Sequence, residues 1–107
     1  MEKNVDLAYQ TLDYIRDHPE EWDQRRYICG TTACFAGRAA LISLGLRTEH
    51  QYHVEQSLNP EIWSIRECAM RALGWTPREA SHVFYNRTRN FAVLERAVKE
   101  VLNGEVG

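Results

Sequence analysis

The residues best suited to chemistry are two thiols, Cys29 and Cys34, and two imidazoles, His50 and His53. Cys-x4-Cys and His-x2-His invite a metal. A structural zinc, however, needs four converging ligands and takes its cysteines in tighter pairs, such as C-x2-C. Cys34 would also lie about one turn inside a helix that needs its faces for packing. The bland alternative is preferred: a turn thiol, a buried small thiol and two exposed imidazoles. Thiol catalysis would need an activated cysteine beside an oriented histidine. A helix start could activate Cys34, yet no spacing says which of His18, His50, His53 or His82 would approach it. No phosphate loop, paired-carboxylate motif or metallohydrolase motif is present. The expectation is no enzyme, no metal and no cofactor.

Nucleic-acid chemistry has a better basis. Residues 68–86 run Cys-Ala-Met-Arg-Ala-Leu-Gly-Trp-Thr-Pro-Arg-Glu-Ala-Ser-His-Val-Phe-Tyr-Asn. A helix, a turn at Gly74 and a capped helix presenting Arg78, Ser81 and His82 fit a helix-turn-helix outline. The stretch resembles the headpiece of lac-repressor-type regulators, with Thr76, Ser81, Val83 and Asn86 in the matching places. Arg87 and Arg89 follow it, where phosphate contacts would help. It departs from that family at Pro77 and Glu79, and Glu79 would repel phosphate. For a protein partner, Trp22, Trp63, Trp75 and Tyr85 are the contact candidates, since an exposed indole makes a good hot spot.

These side chains are positioned by elements that read as helices. Val5, Ala8, Tyr9, Leu12 and Ile15 form a helical stripe over 4–17, ending before Pro19. Pro19-Glu-Glu-Trp looks like a fresh helical start with Trp22 as its inward anchor. Residues 25–29 read as a connector or brief strand. The central element is Cys29-Gly-Thr-Thr-Ala-Cys-Phe-Ala-Gly-Arg-Ala-Ala-Leu-Ile-Ser-Leu-Gly45. Thr31 or Thr32 could cap it, Ala33, Ala36, Gly37 and Ala40 give a small-residue face, and Gly45 stops it. It predicts a buried helix over about 32–44, whose small face would serve packing within the monomer or a homodimer. Residues 46–58 show no clear period, with a short extended piece as one reading. Asn59-Pro60-Glu61 reopens helix, with Ile62, Ile65, Ala69, Ala72 and Leu73 inward to Gly74. Thr76-Pro-Arg-Glu79 is a capping box opening a helix over 77–85 around Ala80, Val83 and Phe84. Asn90 caps a last helix whose Phe91, Leu94, Ala97, Val98 and Val101 face inward.

The 107 residues, 44% hydrophobic, suit one domain with one core, so the fold class is all-α over 1–107: five or six short helices around the small-residue helix. The net charge of −2 carries no mandate for nucleic acid or membrane, although residues 60–107 hold seven Lys/Arg against six acids. No apolar run reaches the roughly 20 residues of a membrane span, and the first residues lack a secretory build, so a cytoplasmic location without membrane contact is expected. Three cysteines, an odd number, point to free thiols.

Three blocks together suggest a family: His18-Pro-Glu-x-Trp22-x-Gln24, Cys29-Gly-Thr-x-Ala-Cys-x-Ala-Gly37-x-Ala, and Leu73-Gly-x-Thr76-Pro-x-Glu-Ala80. They resemble small uncharacterised accessory proteins of actinobacteria and their bacteriophages, including mycobacteriophages. The resemblance implies a bacterial host protein as partner and transfers no catalytic residue. It departs from the pattern at Arg38, where an aromatic such as Trp would stand, which would put a charge on a surface that relatives keep apolar.

Overall fold

The computed structural model describes residues 2–59 and 64–106. In chain order the elements are α1 (Val5–Asp17), a single 3-10 turn (Pro19–Glu21), β1 (Ile28–Cys29), β2 (Thr32–Ala33), α2 (Phe35–Leu44), α3 (Glu49–Leu58), α4 (Ile65–Leu73), α5 (Pro77–Phe84) and α6 (Phe91–Leu102). The all-α class holds: among the described residues six α-helices share one globule, and the strands form only a two-residue antiparallel hairpin, Ile28 opposite Ala33 and Cys29 opposite Thr32.

α2 is the hub, packed against α1, α4 and α5. Ala36, Ala39 and Ala40 are fully buried, and their small side chains admit the neighbouring helices. Phe35 and Leu41 are also fully buried, each stabilising the fold by about 2–3 kcal/mol. Phe35 stacks on Trp75 at 5.6 Å between centroids, and Trp75 leans on Phe84 at 6.0 Å. A smaller cluster of Leu41 and Tyr52, flanked by Leu44, Leu46 and Ile65, holds α3 in place. The small-residue face is therefore filled within the chain and is not a surface for a homodimer.

Several boundaries and faces differ from the sequence reading. α2 begins at Phe35 rather than near 32, because Thr32 and Ala33 pair with β1. The cap is neither Thr31 nor Thr32: the Thr32 hydroxyl donates to the Cys29 carbonyl (2.8 Å), while Cys34 Sγ accepts from the Gly37 N–H (3.4 Å). Residues 49–58 are helical, opened by a capping box between Thr48 and Gln51. That box substitutes for a weak apolar pattern, since Tyr52 is the one fully buried residue of α3. Pro19 starts one 3-10 turn and no longer helix. On α1 the inward face is Leu7, Ala8, Thr11, Leu12 and Ile15, whereas Val5 and Tyr9 are exposed. Asn59 is the C-cap of α3, and α4 is capped by Ser64. The expected restart at Pro60 and Glu61, and the roles given to Ile62 and Trp63, lie outside the described residues.

α5 and α6 follow expectation. The Thr76 hydroxyl accepts from the Glu79 N–H (3.2 Å), and Glu79 accepts from the Thr76 N–H (2.9 Å). Glu79 is also ion-paired to Lys3 at 3.1 Å. Burial alone would raise its carboxyl, but the Thr76 N–H and the Lys3 ammonium hold it below its usual value. This pair ties the N-terminal segment to α5. The segment also crosses the end of α4, where Asn4 N–H donates to the Leu73 carbonyl (2.7 Å). Gly74, at φ +70°, sits so close to the backbone of Glu2 and Lys3 that no side chain would fit.

Arg38 is not on a surface; it is 1% exposed. Its guanidinium donates to the carbonyls of Thr31 (2.7 Å) and Arg47 (3.3 Å), lies 3.6 Å from the Glu21 carboxylate and stacks 4.4 Å from the Tyr14 ring centroid. Tyr14 OH in turn donates to Glu21 (2.8 Å). One charged side chain on α2 thus gathers α1, the 3-10 turn, the hairpin and the approach to α3.

Candidate functional site

A cleft of about 590 Å³ lies between the segment 15–25 and the segment 88–91. Ile15, Pro19, Trp22 and Phe91 supply apolar lining, and Arg16, Arg25 and Arg89 stand around it with Glu20 and Asp23. Trp22 meets Phe91 edge-to-face at 6.3 Å, a favourable arrangement of ring edge on ring face. Gln24 and Arg25 continue into a smaller hollow lined by Arg26, Tyr27, Tyr85 and Arg87.

Both walls are locked by local chemistry. Gln24 is 4% exposed and makes three hydrogen bonds through its side chain. Its Oε1 accepts from the Trp22 indole N–H (2.9 Å) and the Phe35 N–H (3.0 Å), and its amide donates to the Val83 carbonyl (3.2 Å). Trp22 is thereby fixed to the start of α2 and the end of α5. On the far wall Thr88 Oγ1 accepts from the Asn90 N–H (3.0 Å), and Asn90 Oδ1 accepts from the Ala92 N–H (2.9 Å), so the turn carrying Arg89 is capped onto α6.

The charges are unequally engaged. Arg16 contacts Asp13 and Asp17. Arg25 forks onto Asp23 through bonds of 3.0 and 3.2 Å, which hold the Asp23 carboxyl below its usual range. Among the described residues no carboxylate pairs with Arg26, Arg87 or Arg89. Burial, with Tyr85 adjacent, pushes the Tyr27 phenol upward.

Of the sequence-derived protein-contact candidates, Trp22 lines the cleft and Tyr85, 60% exposed, lines the adjoining hollow. Trp75 is 4% exposed and belongs to the core, so its indole offers no contact surface. Trp63 lies outside the described residues. Of the DNA candidates, Arg89 and Arg87 join the cleft and the hollow, whereas Arg78, Ser81 and His82 line neither. Arg78 is exposed, Ser81 is half-buried, and His82 Nε2 lies 3.1 Å from Glu100 on α6. Sequence reading missed Gln24, Arg25, Arg26 and Phe91 as site residues. The run Trp-Asp-Gln-Arg-Arg-Tyr, aromatic residues bracketing two arginines, was the available signal.

The cysteines are all free: Cys29 exposed, Cys68 half-buried and Cys34 buried. Burial pushes the Cys34 thiol up to about 11, despite the Gly37 N–H bond that favours thiolate. It is therefore a neutral cap. At pH 8 it should label with an alkylating reagent about a hundredfold more slowly than in the urea-unfolded chain, because its thiolate fraction falls by about that factor. Mass spectrometry with time would read this, and equal rates folded and unfolded would contradict the assignment. Among the described residues no group of three His, Cys, Asp or Glu could hold a metal ion, and no helix is long and apolar enough to cross a membrane. Comparison with protein-family models, with curated proteins and with solved structures finds no match.

Proposed function

We propose that the protein is a non-enzymatic binding module that acts by docking onto another protein. The observation that carries this is the rigid cleft in which Trp22 and Phe91 form an apolar floor beneath unequally engaged arginines. Aromatic anchors with arginine around them are the residue types that concentrate binding energy at protein interfaces. In line with the resemblance to phage accessory proteins, the partner proposed is a bacterial host protein. Neutral Cys34, sealed from solvent, supports a role for that thiol in folding rather than in nucleophilic chemistry.

The test compares the wild-type chain with an Arg87→Glu/Arg89→Glu variant as bait for host lysate, after matching their circular dichroism. A partner retained by wild type and lost by the variant is expected. A partner retained equally by both would remove the cleft from the reading.

The alternative, a helix-turn-helix DNA binder, keeps one observation in its favour. The succession of α4, the left-handed Gly74 and capped α5, with Arg78, Arg87 and Arg89 exposed, supports that reading. Against it, the outward face of α5 ends at His82, which turns toward Glu100. Titration into duplex DNA at about 50 mM salt is expected to show no binding at tens of micromolar protein. Binding that weakens steeply with salt would favour the DNA reading instead.

A further inference from the structure

The chain is acidic overall, yet five of its arginines line the cleft and its neighbouring hollow. Two of them, Arg16 and Arg25, are occupied by Asp13, Asp17 and Asp23. Arg26, Arg87 and Arg89 form no ion pair with a carboxylate among the described residues, although Arg26 lies within the field of Asp23. A guanidinium is a planar fork matched to a carboxylate; that of Arg26 donates to the Cys29 Sγ (3.7 Å), and these three forks without an ion pair, beside an apolar floor, define what would complement them.

Resting on the docking reading above, we propose that the cleft takes an extended acidic segment of the partner. One apolar or aromatic side chain of that segment packs against the Trp22–Phe91 pair. Carboxylates on either side of the anchor engage Arg89 at the cleft and Arg26 and Arg87 at the hollow. The mixed sign of the lining selects a peptide over a nucleic acid. Glu20 and Asp23 stand among the arginines, so a strand with a phosphate at every step would face them. Peptide carboxylates can be spaced to avoid both. The concavity also has the scale that encloses side chains rather than a flat track for a phosphate backbone. Because Gln24 fixes one wall and Asn90 the other, the cleft itself spends little ordering entropy on binding.

The test uses the full chain, labelled with nitrogen-15, and a blocked heptapeptide of aspartates and glutamates around one central phenylalanine. Three further probes are added: the same peptide with lysines for the acids, the acidic peptide with alanine at its centre, and a short oligothymidylate. The acidic phenylalanine peptide is expected to move the Trp22 indole N–H signal, identified by its loss in Trp22→Phe. Arg89→Ala should weaken that binding about fivefold, the upper range for one exposed charge pair. The alanine-centred peptide should bind more weakly, and the lysine peptide should leave the signal in place.

A silent acidic peptide at millimolar concentration, or an equal response to the lysine peptide, would overturn the assignment. Binding indifferent to Arg89→Ala would overturn it too. Oligothymidylate moving the Trp22 signal while the acidic peptide does not would overturn it in favour of nucleic acid. If the peptide fails while lysate capture still depends on Arg87 and Arg89, the acidic chemistry is wrong and the docking face stands. If both fail, the docking reading falls with it.

Discussion

Replacing Gly37 with alanine is expected to destabilise the protein by about 3 kcal/mol, although alanine is the better helix former. Helix propensity alone would favour the change by about 1 kcal/mol. Space decides against it. A Cβ at this position would lie 2.6 Å from the Tyr27 carbonyl carbon and would overlap the carbonyl oxygen. The obstacle is backbone, not the tip of a flexible side chain, so relief requires β1 to move away from α2. That shift would also strain the Cys34 cap and the Gln24 bonds that position Trp22. Urea unfolding followed by circular dichroism measures the loss, which is a large part of the roughly 5–15 kcal/mol typical of a domain. The bulkier Gly37→Leu should leave the chain unfolded. A stable, monomeric Gly37→Ala protein with unchanged midpoint would mean that α2 and the hairpin do not touch as described.

Arg38→Ala should cost about 3–5 kcal/mol, the range found when one member of a buried ion pair is removed. The substitution takes the cation from Glu21, the donor from two carbonyls and the stacking partner from Tyr14. Arg38→Met keeps the apolar stem and separates packing from charge. It should be the milder change, at about 2 kcal/mol, since an apolar side chain of similar volume recovers part of the loss. A double-mutant cycle with Glu21→Gln then isolates the pair. A coupling of about 1 kcal/mol is expected, and coupling near zero would assign the effect to packing alone. The consequence reaches the cleft, because Glu21 lies between Pro19 and Trp22 and is held where Arg38 and Tyr14 meet it. Loss of Arg38 should therefore weaken the peptide binding proposed for the cleft even in conditions where the variant remains folded.

The legible parts of this chain are those whose signal is local. The Thr76–Glu79 box, the Asn90 cap and the Gly45 and Gly74 stops are each written in a few adjacent residues, and each forms as written. α3 was not legible as a helix: its Thr48–Gln51 box is a local signal of the same kind, but its apolar pattern is faint, with Tyr52 as its one buried residue. The rotation of α1 was not legible. Val5 and Tyr9 share a helical spacing with Ala8 and Leu12, and only the positions of α2, α4 and α6 decide which side of that wide stripe is inside.

The sequence by itself determined an all-α chain, the bounds of α1, α5 and α6, the glycine stops of α2 and α4 and a small-residue helix at the centre. It also supplied Trp22, Tyr85, Arg87 and Arg89 as contact candidates without joining them. The tertiary structure decided which of these share a site. Gln24 bonds to Val83 across 59 positions, and Phe91 meets Trp22 only because α5 and the turn before α6 return to the hairpin. It also decided that Trp75 is core and Arg38 is buried, since side-chain type sets the cost of burial and only the surrounding atoms can offset it. Periodicity reports what a residue's neighbours in sequence require. A cleft is made by residues far apart in sequence, so its chemistry appears only when the chain has closed.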